Sequence, residues 1–439
     1  MRSRELTLAA LALGTGCYTP PSAAPLTPAE VEAWSAGPAS TRAPGSAAAP
    51  ASWDFDVEAA VAYARDHGPT AAERKHVEAV SRAEIDAEGQ LTNPEVRFGR
   101  TFDGTVGQSD RLVVALRVRP DQPWERHGKV ASARAELAAE QALSKVLHRD
   151  TVLEIRKHYA ALAFGEATRD VITKQLALLA ERQRVIDAQV ARGAATQLEA
   201  LLAGEDLLDL ESTRATLDVE LTTTRKELSD LVGIPPGQTW RPVWDLAKLR
   251  EVATTFDRAA IAGRALAARP ELAEANHRLR AADALAYTER SKRYPWFDYF
   301  QVERSVKDAV DWAVSVSVRL PVFSLNGGEV AAADARTHAA AAGRRRIATH
   351  TLSEVDDAIA LAEITGKRAR DLAARLEPLQ KALTDLLADP GSSLAMDPVK
   401  LLLLQGRHVR AERAVLEAAY EHRLALIQLE VLTGESSWR

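Results

Sequence analysis

The chain repeats itself at a spacing of 201 residues, and nothing else in it limits the possible folds so sharply. Phe55-Asp56 returns as Phe256-Asp257, Pro69 as Pro270, Pro94 as Pro295, and Leu228, Leu231 and Gly233 as Leu429, Leu432 and Gly434. Gly128, in a Gly-Lys-Val run, meets Gly328, in Gly-Glu-Val, one residue short of that spacing. Landmarks kept in order at one offset define two tandem copies of a single supersecondary unit. The copies occupy residues 53–240 and 241–439.

Both copies present the same order: a helix, two alternating strands, a very long helix, a turn and a returning helix. The opening helix, 57–90, ends before Asn93-Pro94, and its counterpart, 258–292, ends before Tyr294-Pro295, because proline steers the preceding residue away from helix. From Gly128 to Gly193 no proline interrupts a helical pattern. That run of about 65 residues would extend near 100 Å, far beyond a globular domain. The returning segment gives about 60 Å and the opening helix about 50 Å, so the two together nearly match the long one. Leu176, Leu179, Gln183, Ile186 and Val190 keep the 3-4 spacing of a coiled-coil seam, with Ala177, Ala180 and Ala188 flanking it. The helices therefore predict a rod of antiparallel, closely packed elements. An aromatic content of only 5% agrees with that shape.

Helices alone are equally compatible with an ordinary extended coiled coil, and the strands argue otherwise. Two strand pairs are expected, at about 95–102 with 111–119 and 296–303 with 312–320. In 111–119, Leu112, Val114, Leu116 and Val118 share one face, while Arg111, Val113, Ala115, Arg117 and Arg119 share the other. In 312–320, Trp312, Val314, Val316, Val318 and Leu320 oppose Ala313, Ser315, Ser317 and Arg319. Runs of about nine residues, apolar outside and polar inside, suit a tilted transmembrane strand, and Leu112, Val114, Leu116, Val118, Val314, Val316 and Val318 would then face lipid. A cation at Val114 or Val316 is expected to obstruct assembly, and one at Ala115 or Ser317 to be tolerated. A soluble hairpin lying on its own helices would alternate in the same way. Trp124, Tyr294, Trp296, Tyr299 and Trp312 near the strand ends match an aromatic girdle. Four strands cannot close a barrel, and an open edge in lipid leaves backbone groups unpaired, so such a chain must oligomerise.

The N-terminus agrees with export. Arg2 and Arg4 precede the apolar stretch Leu6 to Leu13, and Gly14-Thr15-Gly16-Cys17 follows. The Gly-Cys junction resembles a lipobox, with Gly14 where leucine is usual, which makes Cys17 a candidate for lipidation at the end of a signal peptide over 1–17. Residues 18–52, rich in Pro, Ala and Ser, read as a flexible tether. Cys17 is the only cysteine, so one chain can form neither a disulfide nor a thiolate metal site. A net charge of −5 without a basic block argues against a nucleic-acid partner.

Taken in order and spacing, these residues resemble the TolC family of outer-membrane efflux proteins over the whole chain beyond the tether. Phe55-Asp56-Val57-Glu58-Ala59-Ala60 looks like the family's first helix and Asn93-Pro94 like its end. Arg269-Pro270-Glu271-Leu272 looks like the start of its second repeat, and Leu320-Pro321-Val322-Phe323 with Gly327-Gly328 like its strand-to-helix crossing. Leu231-Val232-Gly233 and Leu432-Thr433-Gly434 look like the helix ends that close each repeat. The resemblance implies a mainly α protein with a small transmembrane β part: a homotrimeric β-barrel continued by an α-helical barrel. It implies a place in the outer membrane, among outer-membrane lipid, with the helices in the periplasm and a lipid anchor at Cys17. It also implies partnership with a periplasmic adaptor protein and an inner-membrane pump, in a tripartite efflux or type I secretion system. The adaptor-contact turns would be Arg192, Gly193, Thr196, Gln197 and Leu198 in the first copy, with Ala194 and Glu199 where the family often has leucine and aspartate. In the second they would be Gly391, Ser392 and Asp397. In a trimer Asp385, Asp389 and Asp397 would form rings of three carboxylates, able to act as a pore gate.

No phosphate loop, nucleophile elbow or histidine pair at helical spacing occurs in the sequence, so no catalytic residue, metal ligand or cofactor is expected. The competing reading is a periplasmic coiled-coil tether or adaptor without a pore. The strands separate it from a channel.

Overall fold

One aspartate begins each repeat, and it does so as a helix cap. The computed structural model describes residues 54–101, 111–235, 238–245, 249, 252–253, 255–306, 309–320, 325–388 and 398–434. Asp56 Oδ1 accepts the backbone N–H of Ala59 at 2.7 Å and opens α1, Val57–His67. Asp257 Oδ1 accepts that of Ala260 at 3.1 Å and opens α5, Arg258–Ala268. Glycine closes each repeat: Gly233 and Gly434 take φ of 81° and 71°, a left-handed conformation that costs glycine little.

The opening helix is broken in both repeats, where the sequence suggested one continuous element. After α1, Gly68 is extended and Pro69 follows, and α2 begins at Ala71 and runs to Gly89. In the second repeat α5 stops before Arg269 and α6 is Pro270–Ser291, with the proline at its first position. A proline there cannot continue the preceding helix but is well suited to start the next.

Strands β2 (Glu95–Thr101) and β3 (Arg111–Val118) lead into α3, Pro123–Ala191, a helix of 69 residues and roughly 100 Å. Helix α4, Gln197–Val232, returns beside it. The second repeat gives β5 (Trp296–Val306), β6 (Val310–Arg319), α7 (Gly327–Ala388) and α8 (Pro398–Thr433). Strands β5 and β6 therefore reach further toward their shared turn than the expected 296–303 and 312–320. Helix α7 continues through Pro378.

The two strand pairs join in one antiparallel sheet, ordered β2-β3-β5-β6. A second pairing was not legible in the sequence: β1, Asp54–Phe55, lies parallel to β4, Arg241–Pro242, at the junction of the repeats. Contacts gather Asp54–Ile234 and Trp240–Arg439 into one unit, whose core lies mid-way along the helices. There Ile261, Val355, Ile359, Leu426 and Leu429 pack together. The duplication persists in that core, since Ala60 and Ile261, Ala64 and Ala265, and Leu228 and Leu429 are equivalent pairs and all are buried.

Helix α3 packs on α1, α2 and α4 of its own repeat and on α6 and α8 of the other. Small residues set the α3–α6 approach. A Cβ placed on Gly128 would meet Thr288 Oγ1 and lie 3.1 Å from the Ala284 carbonyl oxygen. Gly128→Val is therefore expected to cost about 1–3 kcal/mol, read as a lower midpoint in thermal unfolding of the helical signal. An unchanged midpoint would mean the two helices are not held at this distance.

Candidate functional site

The register of the sheet sorts its side chains into two unlike faces. Pairing sets Phe297 with Val318, Phe300 with Val118 and Val316, and Val302 with Leu116 and Val314. Val96 pairs with Leu116 and Phe98 with Val114. These rows, about 20 Å along the strands, form a face that is apolar apart from Arg304 beside Val114 and Arg100 opposite Leu112. The face is bare: Phe98 is 77% exposed, Val314 75% and Trp312 67%. So large an uncovered apolar surface marks contact with something other than water.

The opposite face is polar and partly self-filled. Arg117 Nε donates to Gln301 Oε1 at 2.8 Å, and the Arg117 guanidinium lies 4.3 Å from the Tyr299 ring centre. Gln301 Nε2 donates to Glu303 Oε2 at 3.1 Å, and Arg319 pairs with Asp298 at 2.7 Å. Ala115, opposite Arg97 and Glu303, is only 3% exposed. That face offers hydrogen-bonding groups to an aqueous space while its long side chains brace one another.

Aromatic side chains gather at the helix end of the sheet, as expected from the sequence, though in a different set. Trp124 lies 5.0 Å from Trp296 and 6.3 Å from Tyr294, edge to face, and Trp296 Nε1 donates to the Pro120 carbonyl. Phe297 joins them at 5.6 Å from Trp296. Tyr299 belongs instead to the polar face, where it pairs with Ser317 beyond a bulge at Phe297/Tyr299. Trp312 stands at the other end, with the Arg304 guanidinium 5.9 Å from its ring.

At the far end of the helices, the turn after α3 is built as its residues suggest. Gly193 takes φ of 73°, and Thr196 and Glu199 form a reciprocal capping box at the start of α4. The Thr196 backbone N–H holds the Glu199 carboxyl below its ordinary range. Arg192, Gly193, Thr196, Gln197 and Leu198 are all exposed there, Leu198 by 63%. Asp385 is exposed near the end of α7. Asp389, Gly391, Ser392 and Asp397 lie outside the described residues, as do Cys17 and the segment 18–52.

Mid-way along the helices stands a cluster that sequence reasoning missed. Glu430, 1% exposed, receives Arg156 Nη1 at 2.9 Å and Arg423 Nη1 at 3.0 Å, and Arg156 Nη2 reaches Glu58 at 3.0 Å. Burial outweighs the pull of the two guanidiniums and holds the Glu430 carboxyl above its ordinary range. Beside it the buried Tyr159 hydroxyl donates to the Phe55 carbonyl at 2.9 Å. These groups line a cavity of about 320 Å³ that also includes Trp244 and Ile427. Among the described residues no group of three His, Cys, Asp or Glu could hold a metal ion, and no helix is long and apolar enough to cross a membrane.

A two-faced sheet of four strands standing on a duplicated set of very long helices is the fold of outer-membrane channel proteins. Among solved structures the chain is similar to CusC, studied for transmembrane channel formation, with 16% identity over 89% of this chain and 96% of that one and a TM-score of 0.70. It is similar to the open-state MtrE outer-membrane channel of Neisseria gonorrhoeae, at 17% identity over 86% and 89% with a TM-score of 0.68. It is also similar to the outer-membrane protein VceC of Vibrio cholerae, at 16% over 86% and 96% with a TM-score of 0.67. No protein-family model and no curated protein matches the chain. At such identities the likeness is one of fold, and it agrees with the mainly α chain carrying a small β part that the resemblance implied.

Proposed function

We propose that this protein is the outer-membrane channel of a TolC-type efflux or secretion system, in which three copies close a barrel of twelve strands. The carrying observation is the sheet: one bare apolar face, one braced polar face, and two outer edges, β2 and β6, that pair with no strand among the described residues. In lipid both edges must be paired, and copies of the same sheet pair them by joining β6 of one to β2 of the next. Leu112, Val114, Leu116, Val118, Val314, Val316 and Val318 then meet lipid, and the polar face lines the pore. Cys17 would anchor the chain to the same membrane.

The helices support the same closure. Helix α3 is flanked by both repeats, whereas the main contacts of its counterpart α7 among the described residues are with α5, α6 and α8. The first-repeat helices α2 and α4 correspondingly keep one apolar flank open. Leu208 and Val219 of α4 are 67% and 66% exposed. Their equivalents, Val409 and Tyr420 of α8, pack on α3, where Tyr420 stacks on Phe164 at 4.5 Å. Val80 of α2 is 58% exposed, and its equivalent Ala281 is buried. A neighbouring copy whose α7 repeated the role of α3 would cover each of these positions.

The equivalence fixes residues to test. Gly128 approaches Ala284 and Thr288, whereas a Cβ on Gly328 would meet nothing within 4 Å. The positions equivalent to Ala284 and Thr288 are Ala83 and Ala87, so the proposed closure would bring Gly328 of one copy against Ala87 of the next. The pair Gly328→Cys and Ala87→Cys is expected to form intermolecular disulfides in isolated outer membranes, ending in a covalent trimer. Each single variant should remain uncrosslinked, because the contact is head to tail. A pair that stays monomeric under oxidation while both thiols react with maleimide would overturn the closure.

At the opposite end, the capped turn after α3 and the end of α7 form the entrance where a periplasmic adaptor would dock and the inner-membrane pump would deliver substrate. Arg192, Gly193, Thr196, Gln197 and Leu198, with Gly391, Ser392 and Asp397, are the proposed contacts. Asp385, Asp389 and Asp397 are the proposed gate.

A further inference from the structure

His422 occupies a place where the two repeats differ in chemistry while agreeing in geometry. In the first repeat, Gly165 on α3 faces Leu221 on α4, and a Cβ on that glycine would come within 2.5 Å of the leucine. The equivalent pair in the second repeat is Gly366 on α7 and His422 on α8, and a Cβ on Gly366 would lie 2.9 Å both from His422 Cε1 and from the Ala253 carbonyl oxygen. A leucine has become a histidine, and its ring is completely buried.

The hydrogen bonds fix the ring's tautomer. Thr365 Oγ1 donates to the Leu361 carbonyl at 2.7 Å, so its hydroxyl proton is already committed. The contact of 3.2 Å between Thr365 Oγ1 and His422 Nδ1 is then an Nδ1–H donated to the hydroxyl oxygen. That leaves a lone pair on Nε2, which accepts the backbone N–H of Ala253 at 3.2 Å. Ala253 belongs to the segment joining the two repeats, ahead of α5. We infer that His422 is a pH-sensitive latch: its neutral ring holds the backbone at Ala253 against α7 and α8, and protonation of Nε2 releases it.

Protonation would place a proton on Nε2 facing the N–H of Ala253, turning an acceptor into a second donor. Burial and the surrounding groups set where this happens. Burial opposes the charged ring most; a hydrogen bond to the Ala362 backbone works the other way, and Arg423 on α8 and Arg370 on α7 add repulsion, so the imidazole titrates below its ordinary range. Two nearby carboxylates are engaged elsewhere, Glu421 on α8 by Arg368 at 2.5 Å and Glu363 on α7 by Arg258 of α5 at 3.9 Å. The described residues 252 and 253 of the joining segment carry no ionisable side chain. The sign follows: the unfolded chain takes up a proton near pH 6.5 and the folded chain only lower, so the contribution of this group to stability falls as the pH drops through that interval.

The test is hydrogen exchange at the Ala253 amide of the full chain, corrected for the intrinsic pH dependence of exchange, between about pH 7.5 and pH 5. In the wild type, protection should fall by about tenfold or more across that range while amides of α8 stay protected. His422→Leu installs the residue the first repeat uses, and it should remove both the protection and its pH dependence. Arg370→Gln, at an exposed position, should move the transition to higher pH. Flat protection in the wild type, or a pH dependence that survives in His422→Leu, overturns the latch.

Discussion

Leu116→Arg and Val314→Arg are expected to abolish the heat-modifiable, SDS-resistant oligomer in outer membranes, whereas Ser317→Arg should leave it intact. Leu116 and Val314 flank Val302 in the same row of the apolar face, two rows from Phe297 and Val318 at the helix end. A cation at mid-depth on a lipid-facing strand costs roughly 2–4 kcal/mol, and each assembled barrel would carry it three times. The sequence alone singled out Val114 and Val316. Val114, however, pairs with Arg304, which shares its face and leans on Trp312, so that row already accommodates a cation toward the rim. Ala115 is likewise a poor neutral control, because its neighbours leave it 3% exposed. Ser317, half-buried on the polar face, takes its place. Equal loss of the oligomer from Leu116→Arg and Ser317→Arg would count against the assignment of faces.

The second large effect is expected at Glu430. Glu430→Gln removes the charge from between Arg156 and Arg423 and leaves two guanidiniums facing each other where water is scarce. Breaking a buried pair from one side costs about 3–5 kcal/mol, more than the pair is worth against a well-packed apolar replacement. Thermal unfolding of the purified chain in detergent should show the midpoint falling by many degrees. Glu58→Gln touches the same cluster from a side chain that is 62% exposed and should cost less than about 1 kcal/mol. If the two variants unfold together, the cluster does not hold the repeats to each other.

Much of this molecule is legible because its landmarks obey short-range rules. The aspartates at 56 and 257 and the glycines at 233 and 434 announce helix starts and ends, and the alternation in 111–118 and 310–319 announces a two-faced sheet. Even Pro69 and Pro270 were visible as landmarks, though the helix breaks they enforce emerge only in the fold. What resists reading is contact at long range. Arg156 and Glu430 are 274 residues apart, and nothing local distinguishes them from the many solvated charges of a rod. The parallel pairing of β1 with β4 spans two residues a strand, too few for a periodicity. The tip residues were placed by resemblance, and the capping box of Thr196 and Glu199 that shapes the first turn emerged only in the structure.

The two unpaired edges of the sheet make the chain's fate depend on how many of its copies are nearby. Among the described residues no strand pairs with the outer N–H and C=O rows of β2 and β6, and such rows accept an extended strand that reaches them. In the proposed trimer, completion of the fold would therefore be a reaction of higher than first order. Dilution would slow it steeply, crowding with the wrong strands would divert it, and the last subunit to arrive would remove the hazard from all three.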